Sequence, residues 1–125
     1  MGCQSAIGIG ANHRVLGSTG GTGGYYGNGI ATDDDGDRQH YLIAHLEQIA
    51  KAQREAVDIR GYFHWSALDN FEWAEGYRPR FGLIDVNYET LERTPRPSAE
   101  LYRKIIAMNQ EQPGDHPIIV PSALQ

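Results

Sequence analysis

The sequence predicts an α/β fold, and three stretches of the chain predict it. Apolar side chains recur at helical spacing from Arg38 to about Ala56. From Val57 to Ser66 they alternate with polar ones instead, which is typical of a strand. Helical spacing returns from Pro97–Ser98 to about Met108. We therefore expect helices that pack against at least one strand.

The first helix is predicted from its start signal and its apolar stripe. Asp37 is the expected N-cap, and the acidic turn Asp33–Asp37 places negative charge at the positive end of the helix dipole. The positions expected to be buried are Tyr41, Leu42, His45, Leu46, Ile49 and Ala52 or Gln53.

The strand that follows is predicted to present two different faces. Val57, Ile59, Gly61, Phe63 and Trp65 are expected on one side, and Asp58, Arg60, Tyr62 and His64 on the other. A long loop, Asp69–Arg80, comes next, and Phe81–Tyr88 is predicted to be extended. In the last helix the expected buried stripe consists of Leu101, Tyr102, Ile105 and Ile106.

Composition divides the chain into three segments. Residues 1–27 hold most of the 15 glycines, and this low-complexity stretch is predicted to be disordered or translated out of frame. Residues 28–110 carry the periodic elements. Residues 111–125 form a Pro-rich tail, in which Ile118–Pro121 is too short to predict a further element.

The overall composition excludes several classes of protein. The chain has 11 Lys and Arg against 16 Asp and Glu, a balance that argues against general nucleic-acid binding. A mean hydropathy of −0.51 and the lack of a long apolar run predict no membrane span. A single cysteine, Cys3, excludes an intramolecular disulfide framework and a multi-cysteine zinc site. No secretory signal precedes Gly24, so the expected location is the cytoplasm.

The loop after the predicted strand carries the residues that suggest a function. Asp69, Glu72, Trp73 and Glu75 lie among aromatic residues just beyond Trp65. Aromatic faces stack on the apolar faces of sugars, and carboxylates accept hydrogen bonds from paired hydroxyls. The alternative is that both tryptophans belong to the core and the carboxylates are solvated.

A family resemblance favours the first interpretation. Tyr-Phe-His-Trp-Ser-Ala-Leu-Asp-Asn-Phe-Glu-Trp at residues 62–73, Gly76-Tyr77 and Arg80-Phe-Gly-Leu83 resemble the C-terminal signature of family 1 glycoside hydrolases, the β-glucosidase-type retaining enzymes. The likeness extends over roughly residues 28–108, and Ala67 is its one small departure within the signature.

The resemblance implies a (β/α)₈ barrel, which typically needs about 250 residues. This chain is therefore expected to supply only the C-terminal portion of such a barrel, namely the helix after strand seven, strand eight with its loop, and the closing helix. Trp65 and Trp73 would line the site for the terminal sugar. Glu72 would bind the outer hydroxyls of that sugar, and Phe81 would help to wall the pocket. The family uses no metal or organic cofactor, so none is expected.

Catalysis is not expected from this chain alone, because a retaining glycosidase needs two carboxyl groups. The family's acid/base glutamate lies in an Asn-Glu-Pro motif, and no such tripeptide occurs here. Its nucleophile lies in Ile-Thr-Glu-Asn-Gly, and alignment on Asn28-Gly29 places Gly27 at the nucleophile position. Glycine has no side chain that could attack a sugar.

A one-base deletion would explain the abrupt end of the likeness at Asn28. A suitable codon run for Ile-Thr-Glu-Asn-Gly, read one base out of frame, encodes Tyr-Tyr-Gly-Asn-Gly, the sequence of residues 25–29. The alternative is a genuine Gly-rich tail with a Glu-to-Gly change. The genomic sequence across this junction distinguishes the two.

Three functions remain open at the sequence level. The favoured one is a truncated β-glucosidase that hydrolyses terminal β-linked glycosyl residues only as part of its parent. The second is a carbohydrate-binding remnant that binds a glucose-like sugar or β-glycoside without turnover. The third is an assembly fragment that docks onto a complementary portion of a barrel or self-associates through the exposed edge of strand eight.

Overall fold

The computed structural model describes residues 16–17, 24–111 and 116–121. Most of the predicted Gly-rich segment, 1–27, lies outside the described residues. The strands are β1 (Leu16–Gly17), β2 (Gly24–Asn28), β3 (Ile59–His64), β4 (Ile84–Val86) and β5 (Arg93–Pro95), and the helices are α1 (Asp35–Arg54) and α2 (Pro97–Gln110).

The central feature is a β–α–β unit. β2 and β3 pair in parallel, and α1 connects them. β1 pairs antiparallel with the other edge of β2. The sequence did not predict β2, and the predicted segment boundary between residues 27 and 28 falls inside it. β4 and β5 form a separate antiparallel pair. β4 lies within Phe81–Tyr88, the segment predicted to be extended, whereas its partner β5 was not predicted.

Helix α1 begins earlier than predicted. Its N-cap is Asp34 rather than Asp37, because the Asp34 carboxylate accepts a 2.8 Å hydrogen bond from the Gly36 N–H. Asp35 and Asp37 then fall in the first turn, and Lys51 and Arg54 fall in the last. Both ends therefore carry the charge that the helix dipole favours.

The core lies between α1, α2 and β3. Its buried side chains are Leu42, Leu46, Ile49, Ile59 and Ile105. Ile106, predicted to be buried, is 41% exposed, because the inward stripe of α2 passes through Ile105. The predicted tail also contributes, since Ile118 and Val120 pack against this core.

A bulge changes the faces predicted for β3. The register shifts so that Gly24 pairs with Ile59 but Tyr25 already pairs with Gly61. β3 thereby contains one residue more than the paired part of β2, and each later side chain of β3 points to the face opposite to the one predicted. Ile59 is consequently buried in the core while Phe63 is 62% exposed, so the predicted common face of these two residues is wrong.

In the part of the chain that the structure describes, neither helix is both long and apolar enough to cross a membrane. Over the same residues no group of three or more His, Cys, Asp and Glu side chains is arranged to hold a metal ion.

Candidate functional site

The candidate site lies where the parallel strands β2 and β3 end together. The Trp65 N–H donates a 2.7 Å hydrogen bond to the carbonyl oxygen of Asn28. A Cβ atom on Gly29 would come within 1.8 Å of the Trp65 carbonyl oxygen, so this close approach requires glycine. The two strand ends are thus fixed against each other.

Trp65 and Glu72 are joined directly. The indole Nε1–H of Trp65 donates to Glu72 Oε1 at 3.1 Å. The chain turns back immediately afterwards, because the Glu72 N–H donates to the Gly76 carbonyl at 2.8 Å around the 3₁₀ turn Trp73–Glu75. Gly76 has a φ of 64°, a conformation that favours glycine. This turn aims the Glu72 carboxylate at the indole.

The other two predicted site residues lie on the same loop. Trp73 is 75% exposed, so its ring is open to a ligand or to another part of a larger protein. Phe81 is half-buried, and its carbonyl accepts from the Ser66 N–H at 3.2 Å. The peptide bond between Trp65 and Ser66 is cis. The structure therefore places all four predicted residues on one loop and shows Trp65 in direct contact with Glu72; their sugar-binding roles stay predictions.

A buried carboxylate, Asp69, closes the base of this loop; the sequence analysis named it among the carboxylates of the loop but assigned it no role, and it is not solvated. Asp69 Oδ1 accepts from the Gly82 N–H at 2.8 Å, and the two carboxylate oxygens accept from the Arg96 guanidinium at 3.1 and 2.9 Å. Arg80 Nη1 donates to Asp69 Oδ2 at 3.3 Å. Burial alone would raise the pKa of Asp69, but the hydrogen bonds from Arg96 and Gly82 outweigh it and hold the pKa below its usual value.

A second set of polar side chains, which includes Asn28, Tyr62 and His64, lies at the ends of β2 and β3. The Tyr62 hydroxyl donates to Asn28 Oδ1 at 2.7 Å, and the Tyr102 hydroxyl donates to the Tyr62 carbonyl at 3.2 Å. Burial, with a smaller contribution from the positive charge of Arg38, lowers the pKa of His64 to about 4. The imidazole is therefore neutral at neutral pH.

Gly27 lies on the opposite face of the sheet from these groups. It pairs with Phe63, while the next pair is Asn28 with His64. Because side chains alternate along a strand, position 27 shares the face of exposed Phe63. Gly27 itself is buried, and a longer side chain at this position would point to the same face of the sheet as Phe63.

A cavity among the described residues lies away from this site. It has a volume of about 340 Å³ between α1 and the segment 116–121, and Lys51, Arg54, Ile118 and Val120 are among its lining residues. None of the four predicted site residues lines it.

Comparison with known proteins decides the family. The model of glycosyl hydrolase family 1 matches residues 18–111, more than half of the chain. The chain belongs to glycosyl hydrolase family 1. The match begins ten residues before Asn28, so the family likeness extends further upstream than the sequence motifs indicated. The resemblance predicted from the signature at residues 62–73 is confirmed.

Curated family 1 relatives are about half identical to this chain over the aligned residues. The β-galactosidase of Sulfolobus acidocaldarius is 50% identical over 82 residues, which are 66% of this chain and 17% of the relative. β-Glucosidase A of Thermotoga maritima is 45% identical over 91 residues, covering 66% of this chain and 20% of the relative. The chain thus spans about a fifth of the length of these relatives.

Solved family 1 structures show the same relationship. The β-glycosidase of Pyrococcus horikoshii matches with a TM-score of 0.64 at 52% identity, covering 65% of this chain and 19% of that one. The Thermotoga maritima β-glucosidase in complex with castanospermine matches with a TM-score of 0.67 at 44% identity, covering 68% and 22%. Family 1 β-glycosidases are (β/α)₈ barrels, and the described residues of this family 1 chain form a partial α/β unit without a closed barrel.

Proposed function

We propose that this chain is part of a retaining β-glycosidase of family 1 and supplies one wall of its sugar-binding site. In this proposal β2 and β3 correspond to strands seven and eight of the barrel, and the loop after β3 carries the sugar-binding side chains. The parent reaction is the hydrolysis of terminal β-linked glycosyl residues. The sugar-binding residues are Trp65, Glu72, Trp73 and Phe81.

The hydrogen bond from Trp65 to Glu72 carries this proposal. It fixes a carboxylate beside an indole ring just beyond the carboxyl end of a parallel strand, which is where barrel enzymes place their binding groups. One Glu72 oxygen is bound by the indole, and a carboxylate has capacity to accept further hydrogen bonds from sugar hydroxyls. The exposed ring of Trp73 adds a stacking face one residue later.

We propose further that the chain alone does not catalyse hydrolysis. A retaining mechanism needs a nucleophile and an acid/base about 5–5.5 Å apart. Position 27 shares the sheet face of Phe63, but glycine offers no attacking atom. The acid/base would have to come from a part of a barrel that this sequence does not contain.

A segment graft tests the proposal. Residues 28–110 of this chain replace the matching segment of Thermotoga maritima β-glucosidase A, with which the chain shares 45% identity. This graft retains the host's own catalytic glutamates. We expect it to hydrolyse 4-nitrophenyl β-D-glucoside, because the transplanted wall is complementary to the sugar. A folded graft without detectable hydrolysis would contradict the proposal.

A second candidate function is assembly, since the exposed face of β3 favours it. Phe63 of β3 is 62% exposed, and Val57, two residues before the start of β3, is 50% exposed. Ile59, which the sequence placed on the same apolar face, is in the core, so Ile59→Lys would unfold the chain rather than test its assembly. Light scattering of the wild-type chain and of Phe63→Lys tests assembly. An oligomer that depends on concentration in the wild type and is lost in Phe63→Lys would favour assembly. A wild-type chain that is monomeric at all concentrations would exclude self-association.

The third candidate, sugar binding without turnover, predicts that glucose or cellobiose perturbs the tryptophan fluorescence of the isolated chain. Trp65 and Trp73 are both on the candidate loop, so either would report binding there. An unchanged emission spectrum at saturating sugar would exclude this function and leave the first.

A further inference from the structure

Two loops of the chain meet at the backbone of Arg80. One loop, residues 29–34, follows β2 and therefore follows the nucleophile position at Gly27. The other loop, residues 65–83, follows β3 and carries the predicted sugar-binding residues. The Thr32 N–H of the first loop donates to the Arg80 carbonyl of the second at 3.1 Å. The relative position of the loops therefore depends on what holds this carbonyl.

Arg38 of helix α1 holds the same carbonyl. Its Nη2 donates to the carbonyl oxygens of Thr32 and Arg80 at 2.6 and 2.8 Å, so that one nitrogen joins both loops. Its Nη1 donates to Asp35 Oδ1 at 2.8 Å. The side chain is wholly buried, at 0% exposure. Burying a charge is costly, so a position that served only to fill the core would favour an apolar residue.

The side chain of Arg80, whose carbonyl joins the two loops, is fixed as well. The Arg80 guanidinium donates to Asp69 Oδ2 at 3.3 Å and to the Val86 carbonyl at 3.0 Å, and it lies 5.2 Å from the centre of the Tyr88 ring. The carbonyl group that Arg38 binds therefore belongs to a residue whose own side chain is held in place. Arg38 connects the first loop to a residue that is already anchored and that directly precedes Phe81.

We infer that Arg38 is a positioning residue, whose guanidinium sets the distance between the loop that follows position 27 and the loop that carries Glu72 and Phe81. The connection of the loops rests on the contacts alone. Its consequence for sugar binding rests on the proposed function.

Lysine at this position is the discriminating substitution. A guanidinium presents five N–H donors in a rigid planar fork, whereas an ammonium is a shorter point charge. Arg38→Lys keeps the positive charge beside Asp35 but cannot reach both carbonyl oxygens at once. Asp35→Asn is the matched control, because it weakens the ion pair and leaves the bonds of Arg38 to Thr32 and Arg80 in place.

Amide hydrogen exchange of the full chain, followed by NMR, is the test. In Arg38→Lys we expect the Thr32 amide to exchange about tenfold faster relative to the Leu42 and Leu46 amides of the core, since it loses the guanidinium that holds its acceptor. We also expect the indole N–H signal of Trp65 to shift. In Asp35→Asn the core amides lose protection together with Thr32, and the indole signal stays in place.

The inference is overturned if Thr32 and the Trp65 indole behave alike in the two variants. A measurement on the wild-type chain covers the case in which Arg38→Lys does not fold. Slow rotation of a guanidinium held at two carbonyls should give separate Nη resonances for Arg38, and a single averaged resonance would refute the inference. Because no readout involves sugar, these outcomes are independent of the graft experiment that tests the proposed function.

Discussion

The indole of Trp65 and the carboxylate of Glu72 are seven residues apart in sequence and 3.1 Å apart in space. The tight turn at Trp73–Glu75 makes this contact, and Trp65 lies two residues beyond Phe63, the partner of position 27. The contact links a local turn to the predicted function, since it orients a carboxylate that is only half-buried.

Replacing the Glu72 carboxylate should weaken sugar binding. Glu72→Gln retains an oxygen that can accept from the indole but loses the charge that strengthens hydrogen bonds to sugar hydroxyls. A charge-assisted bond contributes about 1.5–3 kcal/mol, so kcat/KM of the graft that begins at Asn28 should fall roughly 10- to 100-fold. Steady-state kinetics with 4-nitrophenyl β-D-glucoside measure it. Glu75→Gln is the control, because the side chain of Glu75 is exposed and its carboxylate lies 3.9 Å from Arg78; an equal loss in both variants would contradict the assigned role.

Removing the Asp69 carboxylate should destabilise the whole loop. Asp69 has no exposed side-chain surface, and Asp69→Ala leaves Arg96 and Arg80 without their common partner. Breaking a buried ion pair in this way costs about 3–5 kcal/mol. Urea unfolding measures the loss. Asp58→Ala is the matched control, since the exposed Asp58–Arg60 pair should contribute less than about 1 kcal/mol.

The stability that Asp69 provides should depend on pH in a defined direction. Its pKa in the folded chain lies below the usual value of 3.8, so the unfolded chain takes up a proton first as pH falls. The contribution is complete above about pH 5 and disappears as pH falls through and below the usual value. Melting temperatures of wild type and Asp69→Asn should therefore converge under strongly acidic conditions, and a constant difference down to pH 2 would be inconsistent with this origin.

His64 should make stability depend on pH in a higher range than Asp69 does, because burial disfavours the positively charged form of its imidazole. Its pKa is about 4 in the folded chain against 6.5 for an unperturbed histidine, so the unfolded chain binds more protons between these values. Stability should consequently rise with pH from about 4 to 6.5. His64→Gln removes this slope, because glutamine does not titrate, and thermal unfolding at closely spaced pH values measures it. An unchanged slope in the variant would show that another group is responsible.

Gly29 should tolerate no side chain. Alanine there would place its Cβ 1.8 Å from the Trp65 carbonyl oxygen, a backbone atom that cannot move without displacing the strand end. We expect Gly29→Ala to cost about 3 kcal/mol or more. Gly76→Ala provides the comparison: its Cβ meets no atom within 4 Å, so it should cost less, about 1–3 kcal/mol, and only through its backbone conformation. Equal losses in denaturant unfolding would refute the close approach.

The sequence predicted those features that depend on local pattern. Both helices follow from apolar periodicity, and the family follows from the signature at residues 62–73. Asp37 was a reasonable N-cap by residue type, but Asp34 offers the same side chain one turn earlier, and pattern alone does not rank neighbouring aspartates. The β5 strand was missed because three exposed residues, Arg93–Pro95, carry no apolar alternation.

Features set by contacts between distant residues could not be predicted. The bulge in β3 depends on pairing with β2, a Gly- and Tyr-rich segment whose composition does not indicate a strand. The junction of Arg38 with the Arg80 carbonyl joins residues 42 positions apart. A signal for Arg38 was nevertheless present, since it precedes Tyr41 and Leu42 on the buried stripe of α1, where a charged residue calls for a partner.

The central claim is that position 27 belongs to the nucleophile site and that the adjacent loop forms a working sugar-binding wall. The most direct measurement compares two grafts in Thermotoga maritima β-glucosidase A that begin at Tyr25, one with the wild-type Gly27 and one with Gly27→Glu. We predict hydrolysis of 4-nitrophenyl β-D-glucoside only by the glutamate variant, with Gly27→Gln as inactive as glycine. Activity of the wild-type graft, or a folded glutamate variant without activity, would contradict the claim.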